Sequence, residues 1–374
     1  MSAPRPGFRV ALPRGAVVSL VALVIAVIGF LLNARQAAAT FLVAYASAVS
    51  VVLGALAMML IARLTTATWF GALDRRAELV TRAMPALAGL GVLVLLSLPV
   101  LYRWVGEPVP SGVGAYLNAP FFIVRFIVYW IAWIAIARAL RASARLEARG
   151  DFARAARRYR VVSAAGLVAL GVTMTFAAFD WIMSLAPDWY STIFGVYWFA
   201  GGMVGALALL AVLASPSGGG ATLEGPREPV SSDDVHALAK LMLTFILFWL
   251  YIGFAQYIVI WSGGLPREVA WYVPRTRGGW GGLAVLLVFG NFVLPFLLLL
   301  IRAVRRNATI VATLGVGLLA LHYLDTFWLV MPGLVPVTWW TSVLAAAMLA
   351  VVAALTIALT GWPDERVPSP IPFN

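Results

Sequence analysis

Long apolar runs alternate with short polar segments along the chain, and the alternation repeats ten times in 374 residues. Runs of about 20 apolar residues are typical of membrane-spanning helices, because a hydrocarbon core about 30 Å thick requires that length at 1.5 Å per residue. The predicted spans are 15–33, 40–62, 83–101, 120–138, 161–179, 191–214, 238–261, 280–302, 308–330 and 338–360. The pattern predicts an all-α integral membrane domain of about ten helices over residues 15–360, between an N-terminal segment 1–14 and a Pro-rich tail 361–374.

Basic residues are distributed unevenly between the two sides that this alternation defines. The N-terminus, the loops after even-numbered spans and the tail carry 21 Lys and Arg, with Lys240 at the edge of span 7 included, whereas the loops after odd-numbered spans carry 5. Cytoplasmic loops hold the excess of Lys and Arg in membrane proteins. We therefore expect both termini to be cytoplasmic and the protein to be a multi-pass protein of the bacterial cytoplasmic (inner) membrane.

Composition narrows the possible chemistry. The chain is 63% hydrophobic and 11% charged, against about 25% charged residues in soluble domains. It contains no cysteine, which excludes disulfides, cysteine-ligated iron–sulfur clusters and c-type haem attachment. A pI near 10.7 could suggest nucleic acid, but arginines in cytoplasmic loops explain it better, so no nucleic-acid partner is expected.

Charged side chains within predicted spans are candidates for function, since each costs about 2.5–3.5 kcal/mol at the centre of a membrane helix. His322 and Asp325 lie three residues apart in span 9 and so share a helix face. A histidine beside a carboxylate is suited to proton handling; a structural hydrogen-bonded pair is the alternative. Arg125 and Tyr129 share a face of span 4, where Arg125 either snorkels to the surface or neutralises Asp180 or Asp325.

The remaining candidates fall towards the two membrane surfaces. Asp180, in the turn FDWIMSLAPDWYST, is either a solvated corner residue or part of an outer-side polar cluster; Glu268, in the loop after span 7, is a further outer candidate, and Gln256 and Asn291 are polar groups inside spans. Asp233, His236 and Lys240 share one face at the cytoplasmic end of span 7. The two sets predict two polar half-channels for protons.

Haem ligation is tested by the spacing of the two histidines in the chain. His236 is predicted near the cytoplasmic face and His322 in the outer half, about 20 Å apart along the membrane normal. Two axial ligands of one haem cannot be that far apart, so no bis-histidine haem is expected. We therefore predict no catalytic, cofactor-binding or metal-ligating residues in this chain, with a quinone as the one ligand kept open.

Four segments resemble the NrfD/polysulfide-reductase family of membrane subunits, and more narrowly the ActF-type subunit of bacterial alternative complex III. They are YLNAPFFIVRFIVYW (116–130), FAAFDWIMSLAPDWYSTIFGVYWFAGG (176–202), HALAKLMLTFILFWLYIGFAQYIVIWSGGLPREVAWY (236–272) and GGLAVLLVFGNFVLPFLLLLIRAVRRN (281–307). The resemblance covers spans 3 to 9, and the pattern D-W-x-M-S-L-x-P-x-W-[FY]-S-T-[IL]-[FY]-G-V-Y is its most specific part. It implies two four-helix bundles with peripheral helices.

The resemblance also implies a function and partners. The assembly oxidises a quinol and passes electrons through iron–sulfur and haem c subunits to an outer-side acceptor, with an NrfD-like quinol-binding subunit and a terminal oxidase as further partners. Lipids are expected as partners for a separate reason, because the arginine-rich segment 138–160 attracts anionic lipid. An ActF-like subunit supports the assembly and is a candidate proton conductor. Two alternatives stay open: that this chain is the quinol-binding subunit, with Arg125, His322 and Asp325 holding the head group, and that it is a stand-alone secondary transporter.

Overall fold

A computed structural model describes residues 14–108, 112–215 and 230–360 of the chain. Those residues form helices and turns and contain no strand. The helices are α1 (Arg14–Leu32), α2 (Ala34–Leu64), α3 (Gly71–Thr81), α4 (Met84–Leu96), α5 (Leu98–Leu101), α6 (Ala119–Ala148), α7 (Phe152–Trp181), α8 (Phe194–Ala214), α9 (Ser232–Gly263), α10 (Pro266–Thr276), α11 (Gly279–Val288), α12 (Leu294–Leu300), α13 (Arg302–Arg305), α14 (Ala308–Val330) and α15 (Trp339–Thr360). Within the described ranges, nine helical segments are long and apolar enough to cross a membrane. The all-α, multi-pass membrane class is confirmed.

The predicted spans match these helices in order, with differences at their ends. Span 1 corresponds to a shorter apolar stretch, Val17–Leu32, and span 8 to α11 and α12 joined by a π-helical turn at Phe289–Val293. The segments 1–13, 216–229 and 361–374, which include most of the predicted N-terminal segment and the whole Pro-rich tail, lie outside the described residues. The membrane side of each terminus stays a prediction.

The Arg-rich segment after span 4 is helical rather than a loop, contrary to the predicted ends at 138 and 161. Helix α6 continues to Ala148 and α7 begins at Phe152. Alanine, leucine and arginine are strong helix formers, so both helices run past the apolar core. The chain reverses direction between the two helices within three residues. Gly150 adopts the left-handed region at φ +83°, and the side chain of Asp151 caps α7.

Helices α2 and α8 pack along most of their length and form the centre of the fold. A Cβ built on Gly202 of α8 would lie 2.6 Å from the carbonyl oxygen of Ser50 on α2. Gly54 makes the reciprocal approach to the backbone of Gly202. Small residues at such a crossing let two membrane helices approach closely and gain van der Waals contact.

The other helices pack around this central pair. Helix α7 contacts both α2 and α8 and carries α6 on its flank, while α9 and α14 pack on α8. Helices α1 and α15 pack on each other and on α2. The two sides of the α2–α8 pair therefore hold different neighbours, which separates the polar clusters described below.

The segment after α7 and the short helix α10 form a packed cap at the end of the fold predicted to face outwards. The rings of Trp189 and Trp271 stack with centroids 4.3 Å apart. Ser191 Oγ donates to Gln256 Oε1 at 3.2 Å, and Arg267 Nε donates to the backbone oxygen of Asp188 at 2.6 Å. These contacts order both connections, and Asp188 itself is an exposed turn residue.

We expect Gly202→Ala to destabilise the protein by about 1–3 kcal/mol, because the new methyl group would overlap the backbone of α2. The matched control is Gly171→Ala in α7, where a Cβ meets nothing within 4 Å and the gain in helix propensity is about 1 kcal/mol. Thermal unfolding of both variants, followed by size-exclusion chromatography, measures the difference. Equal melting temperatures would contradict the close α2–α8 contact.

Candidate functional site

The first buried polar cluster joins α6 to the end of α7. Arg125 binds the carboxylate of Asp180 with two hydrogen bonds, Nε to Oδ2 at 2.9 Å and Nη2 to Oδ1 at 2.8 Å. Tyr129, one turn further along α6, donates its hydroxyl to Oδ2 at 2.6 Å. Asp180 is 1% exposed and Arg125 is 8% exposed. Of the two acids offered as partners of Arg125, the structure selects Asp180.

Local sequence places each member of this first cluster. Asn118 caps α6 by accepting from the Phe121 amide at 3.0 Å, and proline follows at the start of the helix, where its missing amide is harmless. The loop before the cap brings Tyr116 next to Arg125. The Tyr116 backbone oxygen accepts from Arg125 Nη1 at 3.0 Å, and its ring lies 3.9 Å from the guanidinium. Burial and the charge of Asp180 raise the pKa of the Tyr116 hydroxyl above its ordinary value, so it is neutral at physiological pH.

The second buried cluster lies where α2, α8, α9 and α14 meet. Asp325 is 3% exposed and accepts from Tyr197 Oη at 2.7 Å and from Trp249 Nε1 at 3.2 Å. His322, one turn earlier on α14, places Nε2 2.8 Å from Ser50 Oγ. The predicted pair therefore shares a buried face, but each member has its own partners on neighbouring helices.

The histidine tautomer depends on the direction in which the Ser50 hydroxyl donates its proton. Its hydroxyl carries one proton and lies 2.9 Å from the backbone oxygen of Ser47. When that proton goes to Ser47, Nε2 of His322 carries the proton shared with Ser50, and Nδ1 is left as an acceptor. A Cβ on Gly201 would lie 3.4 Å from Nδ1, so the absent side chain at Gly201 leaves this nitrogen open.

A small cavity of about 10 Å³ separates His322 from Asp325, and Gly201, Trp249 and Asn291 also line it. That volume is about the room needed for one water molecule. Asn291 lies in the π-helical turn and is buried, and its Oδ1 has no hydrogen-bond partner among the described residues. A water in this cavity would meet an imidazole nitrogen, a carboxylate and an amide oxygen.

The two clusters differ in how their charge is balanced. Asp180 is paired with a guanidinium, whereas the two recorded donors to Asp325 are a phenol and an indole, both neutral. An ion pair in an apolar interior is costly to break, which suits a fixed contact. An acid held only by neutral donors can gain or lose a proton without breaking an ion pair, which suits proton exchange.

Aromatic rings separate the two clusters. Trp181 follows Asp180 in the chain and packs edge-on against Trp133 and Trp198, with ring centroids 5.9 and 6.0 Å apart. Trp198 follows Tyr197 on α8, so the second cluster lies on the other side of these rings. The single outer-side cluster expected from the sequence is therefore two clusters divided by packed tryptophans.

The remaining predicted residues lie away from the cavity. Glu268 is half-buried on α10. At the other end of α9, Asp233 pairs with Arg306, Lys240 is exposed, and His236 is half-buried. Between Lys240 and Trp249 the described α9 side chains that are buried are apolar, over about 13 Å of helix. The structure does not join this inner set to His322 and Asp325.

Sequence reasoning overlooked Arg275, which is 5% exposed. It donates to the backbone oxygens of Trp271 and Leu329, each at 2.7 Å, and stacks on the Trp271 ring. Leu329 is in the last turn of α14, where free carbonyls and the helix dipole favour a cation. Burial lowers the pKa of Arg275 to about 9, so it stays charged at neutral pH and stabilises the end of the helix that carries Asp325.

Three further residues of the second cluster, Ser50, Tyr197 and Trp249, were also overlooked. Serine, tyrosine and tryptophan are common in membrane helices, and their partners lie on other helices, so no local sequence signal marks them.

No family model matches the chain, and a search of curated proteins finds no similar protein.

We expect Asp180→Asn to destabilise the protein by about 3–5 kcal/mol, because Arg125 would remain buried without its counter-charge. Thermal unfolding and the yield of monodisperse protein measure this loss. The exposed turn residue Asp188, changed to Asn, is the control. Arg125→Gln combined with Asp180→Asn should recover part of the loss, and a single Asp180→Asn variant as stable as Asp188→Asn would contradict the structural role.

Proposed function

We propose that this chain is an ActF-like integral membrane subunit of an alternative complex III, a quinol:electron-acceptor oxidoreductase of the bacterial cytoplasmic membrane. The four segments that carry the resemblance contribute to both buried clusters: they contain Arg125, Asp180, Tyr197, Trp249 and Asn291. Residues that lie far apart in the chain thus meet in these two polar clusters. That the four resembling segments together form these clusters supports the family resemblance.

The proposed architecture has two groups of four helices. Helices α2, α4, α6 and α7 form the first group, and α8, α9, α11 with α12, and α14 form the second, each with contacts between successive members. Helices α1 and α15 are peripheral. The first group contains the Arg125–Asp180 contact and the second contains Asp325, so the proposal gives the first a structural role and the second the chemistry.

The proposed chemistry is proton exchange, with electrons confined to iron–sulfur and haem c partner subunits. One observation carries it: a buried acid held by neutral donors faces a histidine nitrogen across a cavity with room for one water. A water there can pass a proton between Asp325 and Nδ1 of His322 by exchanging donor and acceptor roles. The adjacent Ser50 hydroxyl continues the hydrogen-bonded chain to α2.

Asp233, His236 and Lys240 enter the proposal as the cytoplasmic half-channel. The apolar stretch of about 13 Å between Lys240 and Trp249 means that a proton crossing this gap needs additional waters or a movement of α9. The outer half would run through the polar groups Gln256 and Tyr272, which are hydrogen-bonded to each other at 3.1 Å. Burial raises the pKa of the Tyr272 hydroxyl to about 12, so it acts there as a neutral hydrogen-bonding group.

The alternative of a quinol-binding site in this chain has less support from the geometry. Arg125 is engaged by Asp180 with two hydrogen bonds and is divided from His322 by packed tryptophans. The cavity between His322 and Asp325, at about 10 Å³, has room for one water and none for a quinone ring. The three residues offered for a quinone head group therefore do not line one pocket.

Asp325→Asn in the purified assembly should abolish protons moved beyond those that quinol oxidation itself releases, because an amide cannot exchange the proton. Electron transfer from quinol to acceptor should continue, since electrons stay in partner subunits. Proton release per quinol, measured in liposomes, is the readout, and Asp188→Asn is the control with the same chemical change at an exposed position. Unchanged proton stoichiometry and pH dependence would overturn the proton role.

Membership of the assembly is tested separately by identifying the subunits that co-purify with the tagged chain from its native membrane. Iron–sulfur and haem c subunits together with a second NrfD-like subunit are expected. Purification of this chain alone, with transport activity, would instead favour the secondary transporter.

A further inference from the structure

An apolar groove of about 610 Å³ lies on the membrane-facing surface between α4 and α6. Val92 and Leu95 form its α4 wall, and Ile127 and Ile131 are among the residues of its α6 wall. Val92 and Ile131 are each more than half exposed, so the groove is open to the surrounding lipid. The one charged residue in its lining is Arg138, at the end of the groove where α6 leaves the apolar core.

The length of the groove matches one leaflet of a bilayer. From Phe126, at its inner end, to Arg138 is twelve residues of α6, or about 18 Å at 1.5 Å per residue. Half of a hydrocarbon core of about 30 Å is about 15 Å. An acyl chain anchored at Arg138 would therefore extend just past the middle of the membrane, as far as Phe126.

Positive charge is concentrated at the Arg138 end. Arg141, one turn further along α6, lies near Glu78 and near three arginines, Arg82, Arg138 and Arg145. Glu78 is already paired with Arg82 at 3.1 Å. Arg141 is half-buried and adds its positive charge beside Arg138, which is exposed.

We propose that the groove between α4 and α6 is a binding site for one anionic glycerophospholipid of the cytoplasmic leaflet. One acyl chain lies along the groove, and the phosphate is bound by Arg138, with the charge of Arg141 adding to the attraction. Arginine forks match phosphate oxygens geometrically, and each basic residue near an anionic membrane surface adds about 1 kcal/mol of attraction.

A quinone fits this groove less well than a lipid. Its ring carbonyls require hydrogen-bond donors, and the end of the groove farthest from Arg138, at Leu95 and Phe126, is apolar. A helix of a partner subunit would cover the apolar walls but would leave the arginine cluster without an anion. An anionic lipid covers the apolar walls with its acyl chain and also supplies an anion to the arginine cluster.

The test uses the full chain in its purified native assembly, transferred to nanodiscs of phosphatidylglycerol or phosphatidylcholine and then released into mild detergent for native mass spectrometry. We expect retained phosphatidylglycerol, little retained phosphatidylcholine, and no displacement by excess inorganic phosphate. Arg138→Ala should lower phosphatidylglycerol retention about fivefold, the equivalent of one arginine, while Arg138→Lys should lower it less.

Matched variants separate the two halves of the site. Arg157→Ala removes an equal charge from an exposed position on α7 and should leave retention unchanged. Ile131→Trp fills the groove and should abolish retention, whereas Val168→Trp, at a lipid-facing position that is 70% exposed, should not. Equal retention of both lipids, equal effects of Arg138→Ala and Arg157→Ala, displacement by phosphate, or a quinone or partner helix in the groove would each overturn the proposal.

Discussion

The close approach of α2 and α8 determines where the polar groups of this protein meet. At Gly202 the two backbones come near enough that a methyl group would overlap the carbonyl oxygen of Ser50. The same approach brings the Ser50 hydroxyl to His322, which packs on the glycine-containing face of α8. A larger residue at this crossing would separate the helices and leave the histidine without its partner.

Two of the buried acids, Asp180 and Asp325, differ in how their charge is balanced. In an apolar interior a carboxylate is tolerated when its charge is paired or its oxygens are well hydrogen-bonded. Asp180 is paired with Arg125 and closes α6 onto α7, while Asp325 has a phenol and an indole as its donors and faces a cavity. The first arrangement favours rigidity and the second leaves a proton free to exchange.

The two ends of the molecule also differ in the residues on their surfaces. At one end, stacked tryptophans and Arg267 pack the connections into an ordered cap. At the other end, α6 and α7 extend past the apolar core and carry arginines that exceed the nearby carboxylates. Such a surface attracts anionic lipids, and the groove beneath Arg138 makes the attraction local.

Hydrophobic periodicity determined the class of this protein, because a bilayer demands about 20 apolar residues for every crossing. It also marked Arg125, His322 and Asp325 as polar residues inside predicted spans, while Asp180 could equally have been a solvated corner residue and Arg125 could have snorkelled to the surface. The choice of partners depended on helix packing: one tryptophan layer separates Arg125 from Asp325, and Ser50, Tyr197 and Trp249 reach the site from three other helices. Residues more than 50 positions apart meet only when helices pack, and no local sequence pattern determines which helix faces will meet.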